Sequence, residues 1–84
     1  MNKYTVVITQ SVQKYLKKLP NKVADKLESE MINLEINPRP YGYIKLKGKN
    51  AYRIRVGNYR IIYEIEDRIL KVTVIDAGDR KEIY

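Results

Sequence analysis

From Ala51 onward the chain alternates apolar and polar residues with a period of two, and this alternation constrains the fold more tightly than any other feature of the sequence. Three runs, Ala51 to Val56, Tyr59 to Glu66 and Ile69 to Asp76, read as β-strands joined by tight turns. If Gly57 and Asn58 form a two-residue hairpin loop, Val56 faces Tyr59, Arg55 faces Arg60 and Ile54 faces Ile61. If Asp67 and Arg68 close the next hairpin, Glu64 faces Lys71 and Ile62 faces Thr73. One face of this meander then carries Tyr52, Ile54, Val56, Tyr59, Ile61, Tyr63, Ile65, Leu70, Val72 and Val74, and must be buried. The other face carries Arg53, Arg55, Arg60, Ile62, Glu64, Lys71, Thr73 and Ile75.

The first half of the chain supplies the cover for the apolar face. Tyr4 to Thr9 is β-branched and aromatic and reads as a strand, after which Thr9 or Ser11 caps a helix. Val12, Tyr15, Leu16 and Leu19 recur at helical spacing until Pro20 ends the run. A second helix opens at Asn21, with Val23, Ala24, Leu27, Met31 and Leu34 as its apolar stripe. Pro38 and Pro40 stop the helical pattern. Gly42 and Gly48 then mark a basic irregular segment that leads into the sheet.

The residue inventory excludes several chemistries. The 84 residues contain neither His nor Cys, which removes thiolate and imidazole metal sites, disulfides, and the Ser/His/Asp and Cys/His nucleophile systems. Residues Gly42 to Asn50 approach a phosphate-loop pattern, but the spacer is one residue too long and Asn50 stands where a hydroxyl residue is needed. No cofactor is therefore expected. No apolar run approaches the roughly 18 residues that cross a bilayer, so the expectation is a cytoplasmic protein without membrane partners. A chain of this length makes one domain, residues 1–84, burying about 60% of its unfolded surface.

Charge points to a polyanion. Seventeen Lys and Arg outweigh ten Asp and Glu, for a formal charge of +7. Between Glu35 and Glu64 there is no acid, while Arg39, Lys45, Lys47, Lys49, Arg53, Arg55 and Arg60 all fall in that interval. On the register above, Arg55 stands opposite Arg60, a like-charge pair that costs about 0.2 to 1 kcal/mol. A ligand of opposite charge explains why such a pair is kept; the alternative is that Asp79 or the C-terminal carboxylate neutralises it.

In the order KLKG, AYRIRVGNYRIIYEIE and LKVTVIDAGDRKEIY, residues Lys45 to Tyr84 resemble the RelE/ParE superfamily of type II toxins, with Tyr52 to Glu64 the most specific part. The likeness covers essentially the whole chain. It implies a RelE-like α+β fold in which an N-terminal strand and helix hairpin pack on one face of an antiparallel sheet, in the order β-α-α-β-β-β. The combination of Arg53, Arg55, Arg60, Arg80 and Tyr84 is closer to the RelE-like mRNA interferases than to the ParE-like toxins, which inhibit DNA gyrase and are not nucleases. The resemblance implies a metal-independent endoribonuclease that cleaves mRNA in the A site of the 30S ribosomal subunit, with a cognate antitoxin as partner. It assigns catalysis to those five residues. Asp79 stands where a histidine often precedes the arginine in relatives, so no mechanism here can use that imidazole.

RNA brings its own nucleophile, the 2′-hydroxyl, and an enzyme need only align it, remove its proton and stabilise the charge that develops. Arginine forks onto phosphate but keeps its proton, so the arginines supply charge. The base is then Tyr84, with Asp79 second. Lys45, Lys47 and Lys49 either protonate the leaving oxygen or clamp phosphate. Tyr41 and Tyr43, in the same loop, either stack on bases or fold back over the core. Two alternatives remain: the ParE-like gyrase inhibitor, and a basic RNA-binding domain without chemistry.

Overall fold

A computed structural model describes residues 3–79. The first strand, β1 (Thr5–Ile8), is followed by α1 (Gln10–Lys17) and α2 (Asn21–Asn33). The chain then makes a two-residue strand β2 (Ile44–Lys45), followed by β3 (Tyr52–Val56), β4 (Tyr59–Glu66) and β5 (Lys71–Asp79). The sheet order is β1-β5-β4-β3-β2. The α+β class is as the sequence implies, with two additions: β1 runs parallel to β5, which makes the sheet mixed, and β2 extends the β3 edge.

The helices form where the pattern places them, but their ends are held by other groups than expected. Thr9 occupies the N-cap of α1 in an extended conformation, yet its hydroxyl makes no capping bond and lies 3.3 Å from the Ser11 hydroxyl. The Gln13 side chain instead donates to the Ile8 carbonyl at 2.7 Å, tying the helix to the end of β1. Lys14 and Lys17 sit in the last turn, where they suit the negative end of the helix dipole. Pro20 separates the helices with φ −55° and ψ 145°, a conformation its ring favours and one that leaves the helical region. Val12 and Leu16 of α1, with Leu27 and Met31 of α2, lie four residues apart on each helix and turn toward the sheet.

The sheet meets them with the face that alternation predicts, except that Leu70 falls in the β4–β5 loop and outside the core. Ile54, Val56, Ile61, Tyr63, Ile65, Val72 and Val74 all join the buried cluster, and Tyr52 and Tyr59 pack at its border. The β3–β4 register is as expected, from Tyr52 opposite Tyr63 to Val56 opposite Tyr59. Of the two turn residues only Gly57 has positive φ, at +60°, so the turn is of the II′ kind, in which glycine leads.

The β4–β5 connection departs from expectation twice. Asp67 to Ile69 forms a 3-10 turn and Leu70 adopts the left-handed conformation, φ 51° and ψ 53°, so the loop has four residues instead of two. Neither Asp67 nor Arg68 is a residue that favours both left-handed positions of a tight hairpin, and the longer turn needs only one. Glu64 therefore faces Thr73, and Glu66 faces Lys71. The shift is even, so the same residues stay inside. A bulge between Ile62 and Tyr63 on one strand and Val74 and Asp76 on the other then sets Ile62 against Asp76, Ile61 against Ala77 and Arg60 against Gly78.

Tyr63 is fully buried, and its hydroxyl donates to the Pro38 carbonyl at 2.7 Å. This polar contact inside the core joins the sheet to the segment after α2. Tyr63→Phe removes the donor and leaves a carbonyl without it, for an expected loss of about 1 to 3 kcal/mol, read from the urea midpoint at unchanged m value.

Candidate functional site

Strand register decides which basic residues share a surface. Arg53 and Arg55 are two apart on β3 and project from the face opposite the helices, about 7 Å apart along the strand. Arg60 of β4 stands directly across from Arg55, and Ile62 across from Arg53. On the far side of β4, Arg60 faces Gly78, which has no side chain to crowd it. The structure thus brings Arg53, Arg55 and Arg60 together on the open face of the sheet.

The three arginines differ in environment. Arg55 is exposed and Arg53 half-buried, whereas Arg60 is only 2% exposed and is the one charged residue in the buried set of the described chain. Alternation thus fixes the face that each arginine occupies and not its exposure. Arg60 lies on that face by register, but it is buried there, its Nε included. A shallow cleft of about 40 Å³, lined by Arg55, Gly57, Asn58, Tyr59 and Arg60, marks the spot. A buried charge is screened by solvent less than an exposed one.

Lys45, Lys47 and Lys49 lie at the other end of β3. Lys45 pairs with Tyr52, so it belongs to the helix side of the sheet, while Lys47 and Lys49 sit on the β2–β3 connection. That loop is closed by Leu46 N–H donating to Ala51 O at 2.9 Å, and Gly48 turns it with φ +69°. The six residues from Lys45 to Asn50 line a cleft of about 430 Å³. The lysines and arginines therefore form two basic patches joined by β3.

Asp79, the second choice for a base, pairs with Tyr59. Tyr59 packs against the core, so Asp79 stands on the helix side of the sheet, away from the arginines. The other candidates, Arg80 and Tyr84, lie outside the described residues.

One charged constellation has no counterpart in the sequence pattern. Arg39 forks onto Asp67, with Nη2 to Oδ2 at 2.8 Å and Nη1 to Oδ1 at 3.2 Å. The Tyr4 hydroxyl donates to the same carboxylate at 2.6 Å, and the Arg39 guanidinium lies 5.6 Å from the centroid of Tyr52. Arg39 first, then Tyr4, hold the Asp67 carboxyl down to about 2, from the usual 3.8. The hydrogen bond to Asp67 raises the Tyr4 phenol, because it is the neutral form that donates. Desolvation raises that of Tyr63. Arg39 had counted toward the basic run, but Asp67 neutralises it, so it is a structural clasp. No pattern joins two residues so far apart in the chain, and proline on both sides of Arg39 is the only hint that its backbone is fixed.

Solved structures of RelE toxins share this arrangement of strands and helices. A chain of the archaeal RelE–RelB complex from Pyrococcus horikoshii is 29% identical, with 94% of this chain and 97% of that one covered and a TM-score of 0.82. A chain of the RelBE2 toxin–antitoxin complex from Mycobacterium tuberculosis is 25% identical over 93% and 99% of the two chains, with a TM-score of 0.81. The isolated Escherichia coli RelE toxin is 26% identical over 90% and 83%, with a TM-score of 0.75. No curated protein matches significantly by sequence. The family model for the ParE toxin of type II toxin–antitoxin system, parDE, matches residues 6–84. The chain belongs to that family, and so to the RelE/ParE superfamily of type II toxins.

Two measurements test the roles given to these groups. Asp67 has a depressed folded pKa, so its contribution to stability is complete above about pH 4 and is lost as the pH falls toward 2. Thermal midpoints between pH 5 and 2 should fall less steeply for Asp67→Asn than for the wild type within that window. At pH 7, Arg60→Ala should lower stability by roughly 1 to 3 kcal/mol, as buried substitutions do, while Arg55→Ala stays within about 0.5 kcal/mol of wild type.

Proposed function

We propose that this toxin is a metal-independent endoribonuclease that cleaves mRNA, with the ribosomal A site as its place of action. The observation that carries the reading is the convergence of Arg53, Arg55 and Arg60 on the open face of a RelE-like sheet, one exposed, one half-buried and one beneath the surface. An in-line attack by the 2′-hydroxyl builds negative charge on the phosphate oxygens, and fixed cations of graded depth stabilise it without reorganising. Arg55 and Arg53 contact the phosphate, and Arg60 supports them electrostatically from below. Arg80 completes the set.

The proton acceptor is Tyr84. Asp79 is disfavoured because its register places it across the sheet from the arginines. A phenol with a reference pKa of about 10 becomes a usable base when adjacent arginines favour the phenolate. Lys45, Lys47 and Lys49 hold the RNA to one side of the cut, at the other end of β3. The 2′-oxygen bonds to phosphorus as the bond to the 5′-oxygen breaks, and that oxygen takes its proton from one of these lysines or from solvent, which gives a 2′,3′-cyclic phosphate and a 5′-hydroxyl. Relatives of this fold have been solved as complexes with RelB antitoxins, which supports a cognate antitoxin as this chain's partner.

A second reading has its own support. The matching family model is that of the ParE toxins, and a ParE-like chain would inhibit DNA gyrase without cutting RNA. Mapping of mRNA 5′-ends in translating extracts separates the two. Wild type should give discrete ribosome-dependent cuts with 5′-hydroxyl ends, reduced roughly 100-fold or more by Arg55→Ala and by Tyr84→Phe. Growth arrest with no cuts would discard the nuclease and direct the work to gyrase.

A further inference from the structure

The connection between α2 and β2 is anchored on both sides of one bare residue. Ahead of it, the Pro38 carbonyl accepts from the Tyr63 hydroxyl at 2.7 Å and Arg39 is forked onto Asp67. Behind it, the Tyr43 ring lies 6.0 Å from that of Tyr52, which in turn lies 5.9 Å from Tyr63. Between these anchors Pro40 to Tyr43 makes a β-turn. The Tyr43 N–H donates to the Pro40 carbonyl at 3.0 Å, and Gly42 has φ +91°, the mark of a type II turn with glycine at its third position. Tyr41 sits at the second position, and its side chain is fully exposed.

An aromatic ring left in water contributes no burial to the fold. Its backbone is nevertheless held inside a hydrogen-bonded turn. A large flat group on a fixed mount loses little freedom when a ligand covers it, which is the arrangement that binding surfaces exploit. The surroundings give the ligand its chemistry. The turn leads directly into Lys45, Lys47 and Lys49, whose loop lines the cleft of about 430 Å³. A ring followed closely by cations suits a single-stranded nucleic acid, whose bases stack while its phosphates lie along the positive charge. Tyr43 is engaged with Tyr52, so Tyr41 alone of the two loop tyrosines presents its whole ring.

Resting on the reading that this chain binds RNA, we propose that Tyr41 is a stacking platform for one unpaired RNA base, with the neighbouring phosphates held by the loop from Lys45 to Lys49. The platform selects single-stranded over paired RNA, since a base within a duplex has no free face to offer.

Fluorescence anisotropy with a labelled 2′-O-methyl oligoribonucleotide tests this on the full chain. The oligonucleotide lacks the attacking hydroxyl and so stays intact. Tyr41→Ala should weaken binding about 5- to 150-fold, the range for loss of one base–aromatic stack, while Tyr41→Phe binds as wild type. Annealing the oligonucleotide to its complement should abolish the difference between the variants. Equal affinity of Tyr41→Ala and wild type, with Lys47→Ala still weakened, overturns the platform and leaves RNA binding intact. Equal loss in Tyr41→Ala and Tyr41→Phe overturns stacking in favour of a hydroxyl contact. Failure of the wild type to bind overturns both the platform and the RNA reading. Unchanged RNA affinity with lost gyrase inhibition in Tyr41→Ala would overturn the platform and assign the ring to a protein target.

Discussion

The II′ turn at Gly57–Asn58 allows the β3–β4 pair a single register, and the rest of the molecule is arranged around that pair. Because side chains alternate strictly across a strand, one choice of partner at the turn fixes which residues are inside along both strands. It sends Ile54, Val56, Ile61 and Tyr63 to the helices and Arg53, Arg55 and Arg60 to the other side. The core and the basic face are therefore one decision. A slip of one residue would bury arginines and expose the core, a penalty large enough to make the alternative pairing irrelevant.

The like-charge pair at Arg55 and Arg60 becomes intelligible on this frame. The two arginines are register partners because the apolar residues on either side demand it, and on its other side Arg60 is paired with Gly78, which has no side chain. Arg60 is only 2% exposed, while Arg55 is open to solvent. The site is thereby stratified, with one cation at the surface and a fixed one below. In the Arg39–Asp67–Tyr4 cluster charge acts differently. There it fastens the loop after α2, and so removes one cation from the surface that polyanions meet.

How far the fold and the site were legible in the sequence follows from which interactions are local. The helix stripes, the β3–β4 register and the grouping of Arg53, Arg55 and Arg60 were readable, since each depends on periodicity and on a turn residue with a known backbone preference. Up to the bulge the β4–β5 register was two residues off, because Asp67 and Arg68 do not suit a two-residue turn and the loop grows to four residues. The bulge that turns Ala77 inward leaves no mark in an alternating string. Burial of Arg60 depends on what lies opposite it on the neighbouring strands. Tyr41 and Tyr43 read alike in the sequence, and only the ring series through Tyr52 and Tyr63 separates them.

The parallel pairing of β1 with β5 also fixes an order of events. Thr5 emerges from synthesis long before its partner Lys71, and the sheet cannot close until β5 has followed. The hairpin that carries the arginines is local and forms quickly, whereas the pairing of β1 must bring together distant parts of the chain. During translation the helix hairpin and β1 wait with apolar faces uncovered. A nascent toxin is thus an unfinished one until β5 joins β1 to the hairpin.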